Sequence, residues 1–272
     1  MKKAFLLLIT TASFSCIKAQ IKEGTIVYER KINQHRAISD EQMKAMLPEF
    51  RTSRHQLIFS DSVSLFKMLP EDEAPDPFAG SGGTRVIMRM SGSDGGDLYK
   101  NFKTAQSVSS QEMGGKAYLI TDSIKQQPWK IGTETRQILG YTCIKATRKL
   151  TMQTAGVRRM SFTSGGGAPQ VDTTAAQAKP REIEIVAWYA ESLVSPAGPD
   201  SYGLLPGVIL ELNMDNGATV YTATEVKKTA DAKDLKEPKK GKVITAAEFN
   251  KLRLEMISNQ LPVGAGTFRI GG

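Results

Sequence analysis

Segments in which apolar and polar side chains alternate recur along most of the chain, and such alternation is typical of half-buried β-strands. The clearest examples are residues 24–30, 181–190 and 208–214. Other segments of this kind lie at 54–60, 62–68, 85–90, 97–102, 117–121, 129–131, 141–151 and 218–226. Because no long helical pattern separates these strands, we expect one extended, curved antiparallel sheet and not a doubly wound parallel one.

Two capping patterns predict the helices. Ser39 is followed three residues later by Gln42, in a segment that ends before Pro48. Thr245 is followed by Glu248, at the start of a segment that continues to about residue 258. This spacing forms a capping box, which satisfies backbone N–H groups at the start of a helix. The predicted fold is therefore mainly β (α+β), with one or two short helices.

Three segments interrupt the alternation. Residues 69–84 contain prolines, glycines and an acidic run, and they predict a loop. Residues 153–180 contain three consecutive glycines and almost no large apolar residue, which indicates a flexible insertion between two paired strands. Residues 227–242 mix lysines with three acidic residues and predict an exposed surface segment.

The first 19 residues have the three parts of a secretory signal peptide. Lys2 and Lys3 form a basic start, residues 4–9 form an apolar core, and the small residue Ala19 precedes Gln20. Cleavage between Ala19 and Gln20 would leave a single β-rich domain, residues 20–272. We therefore expect an exported protein that is periplasmic or associated with the outer membrane. No apolar run in the mature chain approaches the ~20 residues that cross a bilayer.

Cys16 offers an alternative route, because a lipoprotein signal ends at a cysteine that becomes acylated. Such a signal carries Leu and small residues before the cysteine, whereas Phe14 and Ser15 stand here. We therefore favour cleavage after Ala19. Cys143 would then be the remaining cysteine, and its alternating apolar surroundings predict a small buried side chain.

The numbers of cysteines and histidines limit the kinds of metal site and catalytic site that the chain can form. Two of each in 272 residues exclude a disulfide-rich scaffold and a four-cysteine zinc site. His35 and His55 lie on different predicted elements, and the sequence holds no zinc-protease helix, phosphate loop, nucleophile elbow or dinucleotide fingerprint. The acidic residues near Asp76 and Asp94 lack the spacing of a calcium loop. We therefore expect a non-enzymatic protein without catalytic residues, metal or cofactor.

The formal net charge of +8 does not indicate a nucleic-acid partner. An exported protein rarely meets nucleic acid, and the lysines are spread along the chain with acidic residues between them. A weak attraction to anionic membrane surfaces is the more natural consequence of the charge.

Two blocks of sequence carry a resemblance to a known family. The first has WKI at 129–131, ETRQILGYTC at 134–143 and KAT at 145–147. The second has AWY at 187–189, GP at 198–199 and YGLLPGVILE at 202–211. Together with the opening GTIVYE at 24–29, these blocks resemble the GLPGLI family of secreted envelope proteins, which come from Gram-negative bacteria and have no characterised function.

The resemblance implies an architecture similar to LolA and LolB, half-barrels that hold lipoprotein acyl chains in a concave sheet. The function that follows is binding of an apolar ligand, a lipid or a lipidated partner on the curved sheet. The alternative is an accessory subunit of an outer-membrane transport or assembly complex, which holds no ligand and offers its sheet edges and loops to a partner. Fold analogy alone does not separate the two.

The family's namesake motif stands here as LLPGVI at 204–209, with Leu204 in place of the first glycine. Pro206 and Gly207 form a turn that feeds an apolar strand, and such a turn needs no ligand to explain it. We favour this structural role, and contact with a ligand or partner is the alternative. The candidate contact residues in the second block are Trp188, Tyr202, Leu205, Pro206 and Gly207.

Overall fold

The computed structural model describes residues 20–38, 41–70, 96–152, 180–231 and 233–260. The helices are α1 (Glu41–Met46) and α2 (Ala246–Gln260), and a 3-10 turn at Gln34–Ala37 follows the first strand. The strands are β1 (Gly24–Asn33), β2 (Phe50–Phe59), β3 (Val63–Met68), β4 (Leu98–Asn101), β5 (Gln106–Met113), β6 (Lys116–Ser123), β7 (Lys130–Ile138), β8 (Tyr141–Met152), β9 (Arg181–Ala190), β10 (Val208–Met214), β11 (Thr219–Lys227) and β12 (Lys242–Thr245).

All of the described strands belong to one open sheet, in the order β12-β6-β5-β4-β3-β2-β1-β11-β10-β9-β8-β7. The prediction of a mainly β fold with short helices is confirmed. The sheet is mixed, however, because β12 runs parallel to β6 while the other neighbouring pairs are antiparallel. The predicted antiparallel arrangement therefore holds for these other pairs, and β12 departs from it because the chain crosses over the sheet before this strand instead of turning back in a hairpin.

Several strands differ from the predicted ones. β5 was not expected, because its sequence is mostly polar and its buried apolar residues are Val108 and Met113. The signal that could have found it is the pair Gly114 and Gly115, which have φ of +58° and +71° in the hairpin turn to β6. β7 extends well beyond the predicted 129–131, although most of its side chains are exposed.

The two faces of the sheet bury different sets of side chains, since directly paired residues of neighbouring strands share a face. We call the inner face the one that carries Tyr28, Leu57, Phe66, Ile185 and Leu212. These residues are buried and belong to one hydrophobic cluster. The main core therefore lies on the inner face, where it spans strands from both halves of the sheet.

The opposite, outer face carries a straight row of paired residues across β1 to β6. The row consists of Thr25, Ile58, Leu65, Tyr99, Val108 and Thr121, and we call it the outer row. Ile58 is 1% exposed and Leu65 is 5% exposed. A second layer must therefore cover this face.

Residues 228–231 and 233–241, here called the strap, supply cover on the outer face. They connect β11, in the middle of the sheet, with β12 at its edge. The Thr25 hydroxyl donates to the carbonyl of Thr229 at 3.1 Å. Burial, and after it the charge of Glu237, raises the pKa of Tyr99. The strap therefore passes over the outer row from Thr25 towards Tyr99.

Residues 191–207, here called the cover loop, connect β9 with β10 and pack on the inner face. The Ser195 hydroxyl donates to the carbonyl of Ser60 at 2.6 Å, and the backbone of Ile21 pairs with Leu193. Leu193 and Ala197 of the cover loop are fully buried. The cover loop therefore completes the core beside β1.

Some predictions lie outside the described residues. They are the signal peptide at 1–19 with Cys16 and Ala19, the strand at 85–90, nearly all of the insertion at 153–180, and most of the loop at 69–84. Neither α1 nor α2 is long and apolar enough to cross a membrane, and no other helix in the described part of the chain is.

Candidate functional site

The namesake motif forms the end of the cover loop. Leu205 is 3% exposed and Gly207 is buried, whereas Pro206 is exposed. A Cβ at Gly207 would lie 2.1 Å from the carbonyl oxygen of Ala190. The close approach of two backbone segments therefore requires glycine here, and Gly207 does not need a positive φ.

Leu204 stands where the GLPGLI motif that this segment resembles has a glycine. It has φ of +64°, a left-handed conformation that glycine adopts readily and leucine rarely does. Its N–H donates to the carbonyl of Pro196 at 2.7 Å, which closes the cover loop. A glycine at this position, as in the resembled motif, would therefore adopt this backbone conformation without strain.

Lys100 of β4 fastens the cover loop to the inner face. Its ammonium group donates to the backbone carbonyls of Asp200 and Tyr202, the latter at 3.0 Å. The Lys100 side chain is buried, and this burial lowers its pKa to about 8 although nearby Asp200 acts in the opposite direction. On the other side of the loop, the indole N–H of Trp129 donates to the carbonyl of Gly203 at 2.9 Å. These hydrogen bonds therefore fix the backbone of the loop at Tyr202.

Charged groups lie near Tyr202 and Tyr221, which affects the pKa of each phenol. Burial raises the pKa of Tyr221 strongly, with Asp200 adding to the effect and Arg30 opposing it. Burial also raises the pKa of Tyr202, again with Asp200, while Arg148 opposes it. Both phenols therefore stay protonated at neutral pH, and they can donate or accept hydrogen bonds but not act as bases.

The two histidines occupy separate places. His55 is buried, stacks on Phe66 at 5.1 Å between ring centroids, and shares a hydrogen bond with the Ser53 hydroxyl at 3.0 Å. His35 bonds through Nε2 to the Leu47 carbonyl at 2.9 Å. Within the described residues, no three His, Cys, Asp or Glu side chains are placed to share a metal ion.

Trp188 lies on the outer face, whereas the cover loop lies on the inner face. The Arg136 guanidinium sits 4.3 Å from the centre of the Trp188 ring and forms an ion pair with Glu211 at 2.5 Å. Cys143 is fully buried beside these charges, and burial raises the pKa of its thiol to about 11. The structure therefore brings Tyr202, Leu205, Pro206 and Gly207 together in one loop but leaves Trp188 apart from them.

Sequence reasoning did not identify the exposed edge of the sheet at β7. Among the described strands, β7 pairs with β8 alone. Its side chains are mostly exposed, including Ile131 at 50%. The pairing register shifts between Ile131 and Thr135, so residues 132–134 have no direct partner on β8. The backbone of β7 is therefore open to another strand.

Part of the chain matches the model of a known protein family. Residues 129–211, which extend from the residue before β7 into β10, match the model of a family described as a protein of unknown function (Porph_ging). The family itself is uncharacterised. No curated protein matches the sequence. The GLPGLI resemblance and the LolA-like architecture stay predictions.

The fold also occurs in solved structures. Two structures of PNGF-II, in space groups P21 and C2, each share 16% identity with this chain at a TM-score of 0.50. The similarity covers 86% of this chain but only 34% and 33% of the PNGF-II chains. This chain therefore spans about one third of the length of those proteins, and the likeness concerns the fold alone.

Proposed function

We propose that the protein is a non-enzymatic binding protein of the cell envelope that docks an extended segment of a partner protein against β7. The observation that carries the proposal is the nine-residue edge strand, which pairs on one side only among the described strands. An unpaired strand edge presents backbone N–H and C=O groups that another strand can satisfy.

The side chains of β7 indicate the kind of segment that fits. Glu134 forms an ion pair with Lys145 at 2.9 Å, and Arg136 forms one with Glu211. Since these charges are already paired within the sheet, they contribute little to a partner. Exposed Ile131 is free to contact an apolar side chain. We therefore propose a partner strand that is extended and has few charges.

The other edge suits this role less well. β12 has four residues and leads directly into α2, which packs near it through contact of Phe249 with Tyr118 on β6.

A photo-crosslinking residue at Gln137, which is exposed on β7, tests the proposal. In cells of the source organism we expect a discrete adduct of higher mass. Thr133→Pro should abolish that adduct, because proline removes an N–H at an unpaired position of an edge strand while the fold tolerates it. Thr133→Ala should retain the adduct.

A crosslinker at Thr224, an exposed residue of the interior strand β11, is the positional control. It should give no matching adduct. Equal adducts from Thr224 and Gln137, or adducts that persist in Thr133→Pro, would count against docking at β7. Thermal melting of the proline and alanine variants confirms that both remain folded.

The second candidate is an apolar ligand or lipidated partner on the sheet. Ile144, Leu150 and Met214 favour it, because these half-buried side chains lie on the inner face beside the core. Native mass spectrometry of the protein purified from the envelope distinguishes the candidates. A bound lipid supports this one, and a co-purified protein that is lost in Thr133→Pro supports docking at β7.

A further inference from the structure

We propose that the strap and its two flanking lysines form a docking surface for anionic lipid headgroups. Residues 227–242 contain seven lysines and three acidic residues. Half of the formal net charge of the chain, four of +8, is therefore concentrated in these 16 residues. The lysines are Lys227, Lys228, Lys233, Lys236, Lys239, Lys240 and Lys242, and all are exposed.

The strap presents these lysines from a fixed position on the sheet. Thr229 is held by the hydroxyl of Thr25 at its start. At its end, Gly241 has φ of +140°, and a Cβ there would lie 3.0 Å from the backbone of Ala117. Between these points the Asp231 carboxylate accepts a hydrogen bond from the N–H of Lys233 at 2.9 Å, which shapes a local turn. These contacts therefore fix the position of the strap on the outer face.

The acidic residues of the strap are partly engaged by the protein. Asp231 accepts the Lys233 N–H, and Glu237 acts on Tyr99 of the outer row. The seven lysines are exposed, and so are Asp231, Asp234 and Glu237. A large partner therefore meets seven positive and three negative charges, an excess of four positive charges.

The composition of the strap favours lipid headgroups over other anions. It contains no arginine, the residue that recognises phosphate with paired hydrogen bonds in specific sites. Clusters of four to eight basic residues are attracted to anionic membranes as a group of point charges. Its larger apolar residues, Leu235 and Pro238, are half-buried, which leaves little to insert into a bilayer. Binding should therefore be electrostatic, shallow and sensitive to salt.

Co-sedimentation with lipid vesicles tests the inference. The purified protein should bind vesicles of phosphatidylcholine mixed with the anionic lipid phosphatidylglycerol and should not bind vesicles of phosphatidylcholine alone. Replacing Lys233, Lys236, Lys239 and Lys240 together with glutamine should weaken binding at least tenfold, a loss of about 1.4 kcal/mol. Raising the salt concentration should weaken binding of the wild type.

The matched control replaces four exposed lysines elsewhere, Lys103, Lys125, Lys130 and Lys149, with glutamine. It has the same net charge as the strap variant and should retain binding within about threefold, since electrostatic attraction falls off within a Debye length. Equal loss in both variants would show that net charge alone drives binding and would overturn the inference. So would undiminished binding of the strap variant, equal binding to neutral vesicles, or no binding at all. Melting curves of both variants confirm that they are folded.

Discussion

At Gly207, a single added methyl group is expected to lower the stability of the fold. A Cβ there would lie 2.1 Å from the backbone oxygen of Ala190, and neither backbone segment can move without disturbing β9 or β10. We expect Gly207→Ala to lower the free energy of unfolding by about 1–3 kcal/mol, the usual cost of overpacking. Urea denaturation measures the change. Gly132→Ala is the control, because its Cβ would meet the Lys145 oxygen at 3.4 Å. Equal losses would contradict the steric explanation.

Leu205 distinguishes a structural motif from a binding site. The side chain is 3% exposed, and we expect Leu205→Ala to cost about 2–5 kcal/mol of stability through the cavity that it leaves. Leu254→Ala on α2, where the side chain is 51% exposed, should change stability by less than about 0.5 kcal/mol. A Leu205→Ala variant of normal stability that loses a ligand or partner would instead favour a site.

Lys100 predicts a pH dependence. Its folded-state pKa of about 8 lies below the unfolded value of about 10.4. Between these values the unfolded state binds more protons, so the contribution of Lys100 to the free energy of unfolding rises with pH in that window. Below about pH 8 both states are protonated and the contribution is constant.

Lys100→Met removes this titration. The difference in unfolding free energy between wild type and variant should increase in favour of the wild type from about pH 8 to about pH 10. It should be flat between about pH 6 and pH 7. A difference that is constant over the whole range would contradict a lowered pKa of Lys100 in the folded protein.

At the scale of elements, the capping box of α2 is confirmed in detail. Glu248 accepts hydrogen bonds from the N–H of Thr245 at 2.7 Å and from its hydroxyl at 2.9 Å, and the Glu248 N–H donates to that hydroxyl at 3.2 Å. The bond from the Thr245 backbone is the largest cause of the lowered pKa of Glu248. The stabilisation is therefore present above the ordinary glutamate pKa and is lost as the pH falls through the lowered value.

Comparison of the wild type with Glu248→Gln tests this cap, because glutamine can occupy the same place without titrating. The helical circular dichroism signal of the wild type should decline relative to that of the variant as the pH falls below about 4. Parallel curves would show that the charge of Glu248 does not support α2.

The elements that the sequence predicted well are those with strong alternation. Strands such as β9 bury every second side chain, and the pattern therefore marks them. β5 and β7 carry many polar residues, and backbone pairing with neighbours holds them in the sheet. β12 is short and follows a charged run, so nothing local predicts that it joins β6. The turn at Pro206-Gly207 was predicted, but the contact with Ala190 that requires glycine depends on distant backbone.

For the whole molecule, the strap and β12 should be required for stability. A chain truncated after Lys227 leaves Ile58 and Leu65 of the outer row without their cover. We expect loss of cooperative unfolding and strong binding of a hydrophobic dye. A chain truncated after Thr245 keeps the strap and β12 and should still unfold cooperatively. A stable, cooperative protein that ends at Lys227 would show that the strap is dispensable.

Strand order is the property of the whole molecule that local patterns do not determine. β1 pairs with β11, and Ile26 lies opposite Val226. Such pairings join segments that are distant in sequence, and alternation reports only that each strand has a buried side. The same holds for Lys100, whose partners in the cover loop are about one hundred residues further along the chain.

The position of β12 has a consequence for the order of folding. Ile244 must find Ile120 across more than one hundred residues of chain, and loop closure of that length is slow. β2 to β6 are sequential antiparallel neighbours and can assemble earlier. In a refolding experiment followed by pulsed hydrogen exchange, we expect amides of β6 that face β12 to become protected later than those that face β5. Until then each molecule carries a transient apolar stripe, so the late segment of the chain protects it against aggregation.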